Sequence, residues 1–87
     1  MDRNSSETQK IQNVKKTEAV DAKGVLLAVR AALAEKGLNP VTQLLGYMLS
    51  GEPTYITSYH NARGLICKLE RDELLEEIIT FYLDHNV

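Results

Sequence analysis

The chain has a single cysteine, Cys67, and two histidines, His60 and His85. One cysteine excludes an internal disulfide, and no second Cys or His stands at a spacing that suggests structural zinc. No apolar run approaches the roughly 18 residues needed to span a bilayer, and the first residues hold no apolar stretch of the signal-peptide kind. The expected location is therefore the cytoplasm, without membrane insertion. Lys and Arg number 10 against 12 Asp and Glu, and the basic residues stand singly instead of forming a stripe, which argues against nucleic acid as the main partner. No segment alternates at period two, and there is no internal repeat, so neither a sheet nor a solenoid is expected. No recognisable catalytic or cofactor-binding motif is present. The chain reads as a regulatory or interaction module, not an enzyme, with no cofactor and no metal.

A chain of 87 residues makes one domain at most, and one this short buries only about 60% of the surface its unfolded form exposes. With neither disulfide nor metal to add support, oligomerisation is the remaining option.

What is present is helix punctuation. Residues 1–20 are mostly polar, with only isolated Ile11, Val14 and Val20, too few apolar contacts to offset the entropy of ordering them. They are expected to form a flexible regulatory tail, or else a helix extended backwards from residue 21. Residues 21–87 are the expected helical dimerisation domain. Over 21–36, Val25, Leu26, Val29, Ala32 and Leu33 recur at three- and four-residue intervals and mark the buried face of a helix that stops at Gly37. Asn39 and Pro40 supply an N-cap and a first-turn proline. The second helix that begins there carries Val41, Leu44, Leu45, Met48 and Leu49 as its apolar stripe and ends at Gly51. Gly46 inside it costs about 1 kcal/mol relative to alanine, so either another backbone passes close beside it or the position is simply tolerated, and close packing is the expectation.

Residues 54–59 read as an extended connection, with Thr57 or Ser58 capping the next helix. That third helix is expected over 59–69 with Ala62, Leu65, Ile66 and Leu69 inward. Its stripe breaks near Arg71 and Asp72, and a last helix covers 72–84. The resulting fold class is all-α, a small four-helix domain. The last helix is apolar on two adjoining strips, Leu74 with Ile78 and Leu75 with Ile79 and Tyr82. That is more than three short neighbours can cover, and a homodimer would hide the rest.

Among polar groups, Glu70, Asp72, Glu73, Glu76 and Glu77 lie largely opposite the apolar stripe and read as a solvated face that complements the helix dipole. His60 and His85 fit no metal-ligand spacing. Cys67 has Lys68 adjacent and Arg63 and Arg71 four positions away, an environment able to lower a thiol pKa. Arg63 and Arg71 are read as forks for carboxylates, tying one helix end or subunit to another, or as phosphate receivers. In the tail, Ser5, Ser6, Thr8 and Thr17 offer hydroxyls that a kinase could modify.

The motifs KG-x-NP, GY-x-LSG-x-P-x-Y and NAR followed by ERDE, all within EKGLNPVTQLLGYMLSGEPTYITSYHNARGLICKLERDELLEEI, strongly resemble the IreB family of small regulatory phosphoproteins from Gram-positive bacteria. The resemblance implies a cytoplasmic helical homodimer without enzymatic activity. It also implies action downstream of a transmembrane Ser/Thr kinase and its phosphatase, in a response that restrains intrinsic cephalosporin resistance under cell-envelope stress, through a downstream protein not yet identified. By the same resemblance, Thr8 corresponds to a phosphorylated threonine and Ser5 falls where a second threonine is usual. The tail lacks the usual downstream acidic stretch and carries Lys15 and Lys16 instead, and Cys67 stands where a basic residue is usual. For contact with a partner or a second copy, the residues singled out are Tyr47, Arg63, Arg71, Leu75, Ile79 and Tyr82. Two other readings stay open: a small-ligand or nucleic-acid adaptor using Arg63, Lys68 and Arg71 around a dimer groove, and an enzyme using Cys67.

Overall fold

Asp21 opens the first helix: its side chain accepts a hydrogen bond from the Gly24 N–H at 2.7 Å and satisfies a donor that the helix start leaves free. The structure, a computed structural model, describes residues 21–86. The expected tail, with Thr8 and Ser5, lies outside the described residues. Helix α1 runs Ala22–Glu35 and buries Val25, Val29, Ala32 and Leu33, the face expected from the spacing, with Leu26 packed partly against it. It ends in a Schellman closure. Gly37 adopts φ 77°, its N–H donates to the Ala34 carbonyl, and the Leu38 N–H donates to the Leu33 carbonyl at 2.9 Å.

Helix α2, Pro40–Ser50, begins as expected, with the Asn39 side chain accepting from the Thr42 N–H at 3.0 Å. It ends at Gly51, whose φ of 74° is left-handed. Its expected apolar stripe is divided. Tyr47 is the buried residue, flanked by partly buried Leu44 and Met48, while Val41, Leu45 and Leu49 are exposed by 76%, 56% and 77%. These two sets lie on different sides of the helix, and only the Tyr47 side meets the core. Gly46 is closely packed, as expected, but by a side chain and not by the expected backbone: a Cβ there would run into the Tyr55 ring. That ring belongs to a short 3-10 turn, Pro53–Tyr55, held to α2 by the Gln43 side-chain amide, which donates to the Tyr55 carbonyl at 2.9 Å.

The connection expected to be extended over 54–59 is thus extended only after this turn, at Ile56, which is fully buried. The third helix is shorter than expected. A second 3-10 turn, Tyr59–Asn61, precedes α3, which covers only Ala62–Ile66. His60 and Asn61 both take left-handed φ values, 52° and 59°, and two such residues in succession interrupt a right-handed helix. Ala62 and Ile66 do face the core, and Leu65 and Leu69 pack partly against it. Thr57, one of the two expected caps, accepts through its hydroxyl from the Tyr59 N–H, whereas Ser58 makes no side-chain cap.

Helix α4, Arg71–Asp84, starts where the break was expected. The Glu73 carboxylate reaches back to accept from the Glu70 N–H at 2.8 Å, and Asp72 and Glu73 sit in the first turn, where the dipole favours negative charge. Helix α1 is the centre of the domain and touches each of α2, α3 and α4. The described residues contain helices and turns only, so the domain is all-α.

Candidate interaction surface

Leu74 alone of the α4 side chains is buried. Leu75, Ile79 and Leu83 form an outer strip exposed by 38%, 54% and 56%, and Tyr82 beside them is 64% exposed. Successive positions of this strip are four residues apart and so lie one above another on the helix. An exposed apolar surface of this kind marks a site of association more often than a bare monomer surface. On the side toward α1, Ile78, Phe81 and Tyr82 face Leu26 and Leu27 across an open apolar cleft of about 320 Å³. Leu27 is the residue sequence reasoning missed here. The signal for it is that Leu27 is a large apolar residue of α1 left out of the Val25, Leu26, Val29, Ala32, Leu33 spacing.

The other residues singled out fall elsewhere. Tyr47 is 5% exposed, enclosed within one copy, with its hydroxyl 4.0 Å from the Cys67 sulfur. Burial pushes the Tyr47 phenol above its ordinary range, the Cys67 contact adds to this, and the Arg71 charge opposes it. Cys67 itself is exposed.

Both arginines act on main chain. Arg63 Nε donates to the Ile56 carbonyl at 2.9 Å, clamping the segment that carries the buried Ile56. Arg71 donates to the Met48 carbonyl at 2.9 Å, one of the acceptors that the last turn of α2 leaves unpaired. The expected helix tie is present at Arg71, but among the described residues its partner is a carbonyl and not a carboxylate. The structure therefore does not bring Arg63, Lys68 and Arg71 together as a free basic groove; two of the three guanidinium or ammonium groups are engaged in holding the fold.

His60 lies 3.8 Å from the Glu35 carboxylate, its ring tilted against that of Tyr59. The same carboxylate pushes the Tyr59 phenol upward, while Lys36 Nζ sits 5.1 Å from the centre of the Tyr59 ring. This group joins the end of α1 to the turn before α3. His85 stacks on Phe81 with ring centres 4.0 Å apart at the end of α4. The carboxylates of α4 gather no group of three metal-ligating side chains among the described residues, and no described helix is long and apolar enough to cross a membrane.

The chain is similar to curated proteins over most of its length. A UPF0297 protein of Ruminiclostridium cellulolyticum is 54% identical over 77 residues, covering 88% of this chain and 84% of the relative. Another, from Lachnoclostridium phytofermentans, is 51% identical over 85% of this chain and 84% of its own, and one from Acetivibrio thermocellus is 54% identical over 83% and 80%. The family model described as IreB regulatory phosphoprotein matches residues 6–84. An all-α domain with an uncovered apolar helix, matched over nearly all of its described part, thus belongs to the IreB family of regulatory phosphoproteins.

Proposed function

We propose that this protein is a non-enzymatic cytoplasmic signalling component, modified by a transmembrane Ser/Thr kinase and restored by the matching phosphatase. In this reading it restrains intrinsic cephalosporin resistance as part of a cell-envelope stress response, through a downstream protein that recognises one of its phosphorylation states. The observation that carries the reading is the extent of the family match: it runs from residue 6 to residue 84 and so takes in Thr8 while leaving Ser5 outside. Thr8 is accordingly the principal acceptor and Ser5 a secondary one. A phosphate there adds about −1.5 to −2 charges and strong hydrogen-bond acceptors.

Two copies associate in this proposal through the outer strip of α4, with Leu75 and Ile79 at its centre and Tyr82 at its edge. Tyr47, Arg63 and Arg71 support that surface from within each copy. The adaptor reading loses its groove because Arg63 and Arg71 donate to main-chain carbonyls.

The experiment is incubation of the full chain with the matching kinase, with phosphate mapped by mass spectrometry. Phosphate on Thr8, removed by the phosphatase, is the expected result. Phosphate confined to residues 21–86 contradicts it.

A further inference from the structure

Helix α2 carries an apolar face that none of the described elements covers. Val41, Leu45 and Leu49 are four residues apart and stand one above another as a single ridge, each exposed by more than half, and Leu38 just before the helix is exposed as well. Half-buried Leu44 and Met48 lie on one side of the ridge, and the short residues Thr42, Gly46 and Ser50 lie on the other, where the Tyr55 ring packs on Gly46. None of these residues belongs to the outer strip of α4 or to the cleft beside it.

From Leu38 to Gly51 there is no charged residue, in a chain of which 25% is charged. A charge brought against this face therefore loses its water and finds no partner on α2. The polar neighbours of the ridge are already engaged with main chain: Asn39 accepts from the Thr42 N–H at 3.0 Å, Gln43 donates to the Tyr55 carbonyl at 2.9 Å, and the Ser50 hydroxyl donates to the Gly46 carbonyl at 2.7 Å. An apolar partner can seat here with little polar surface to dehydrate. The helix is also fixed at both ends, by the Asn39 cap and by Arg71 on the Met48 carbonyl, so docking has little backbone to order.

We propose that this ridge docks an amphipathic helix of another protein, one that presents a row of leucine-sized side chains and no charge on its contacting face. Side chains spaced by four form a ridge that fits the groove between the corresponding rows of a second helix, and the described residues offer no strand edge for an extended peptide to join. The area decides between such a partner and a second copy. A helix of 11 residues is about 16 Å long, so the ridge supplies a few hundred Å², against about 800 Å² from each partner in a stable interface. That is too little to hold two copies together and enough for a transient signalling contact. The docking depends neither on Thr8 nor on the outer strip of α4.

The test is methyl NMR on the full chain, titrated with synthetic helical peptides. One peptide has leucines along one face and polar residues elsewhere, and two others carry a glutamate or a lysine within the leucine row. The leucine peptide is expected to move the Val41, Leu45 and Leu49 methyl resonances to saturation, to the same extent when salt is added, with Val29 and Leu33 unmoved. Either charged peptide is expected to bind at least about tenfold more weakly. A Leu45→Gln, Leu49→Gln double variant, altered only on the exposed side of α2, is expected to keep its helical circular dichroism and to lose peptide binding at the ridge. Ridge resonances that ignore the leucine peptide, or that answer the charged peptides equally, overturn the proposal whether or not the double variant folds. Ridge resonances that move on dilution without peptide give the ridge to a second copy and overturn it as well.

Discussion

Helices α1 and α4 are each 14 residues long, yet α1 buries four side chains and α4 buries one. The difference is not one of apolar content. Helix α1 fills its buried face with Val25, Val29, Ala32 and Leu33, residues small enough to let three other helices approach. Helix α4 carries larger side chains, Leu75, Ile78, Ile79, Phe81, Tyr82 and Leu83, and leaves all of them at least 38% exposed. Helix α1 holds the domain together, and α4 leaves most of its apolar side chains uncovered.

The largest expected effect separates the two directly. Leu33→Ala removes a fully buried side chain and costs about 2–5 kcal/mol, visible as a large drop in Tm at a fixed protein concentration. Ile79→Ala, from a side chain 54% exposed, costs under about 1 kcal/mol in the separated chain, measured by denaturant unfolding at high dilution. Equal losses would erase the contrast between the helices.

Gly46→Ala sharpens the comparison by asking whether α2 follows α1. Alanine gains about 1 kcal/mol of helix propensity, but its Cβ displaces the Tyr55 ring, and overpacking of this sort costs roughly 1–3 kcal/mol. A net loss of stability is expected, and Tyr55→Ala in the Gly46→Ala background is expected to relieve it. Arg71→Ala, which frees the Met48 carbonyl at the end of α2, is expected to cost about 1 kcal/mol, with exchange of α2's last amides accelerated more than that of α1.

Alkaline titration gives the smallest effect. The folded state holds the Tyr47 phenol above its ordinary value of 10.0, so it favours the protonated form. Its contribution is complete below that value and is lost as pH rises through the higher folded pKa. Tyr47→Phe is expected to flatten the fall in stability above about pH 10; an unchanged alkaline limb would remove Tyr47 from the account.

Much of the fold was legible because local chemistry sets it. The Asn39-Pro40 start, the Gly37 and Gly51 stops and the Val25, Val29, Ala32, Leu33 face follow from capping and from the 3.6-residue period. Helix α3 was misjudged because periodicity reports which side chains are apolar and not which φ a residue adopts; the signal that went unused is that His60 and Asn61 are of the non-glycine types most often found at positive φ. On α2, the spacing marked one stripe, Val41, Leu44, Leu45, Met48 and Leu49, and the core took only its Leu44 and Met48 side together with Tyr47, which the stripe had left out. The arginines were read as forks for carboxylates, whereas Arg63 and Arg71 donate to the Ile56 and Met48 main-chain carbonyls, which only the tertiary arrangement brings within reach. The excess of apolar surface on α4 could be counted from sequence, whereas the cleft beside it required the relative placement of α1 and α4.

The most direct test of this division is sedimentation equilibrium on the natural chain and on Ile79→Asp, with helicity followed by circular dichroism. The account predicts a two-copy mass for the natural protein and a one-copy mass for the variant, with the same helical signal in both. An Ile79→Asp protein that keeps the natural mass, or that loses its helices along with its partner, would contradict it.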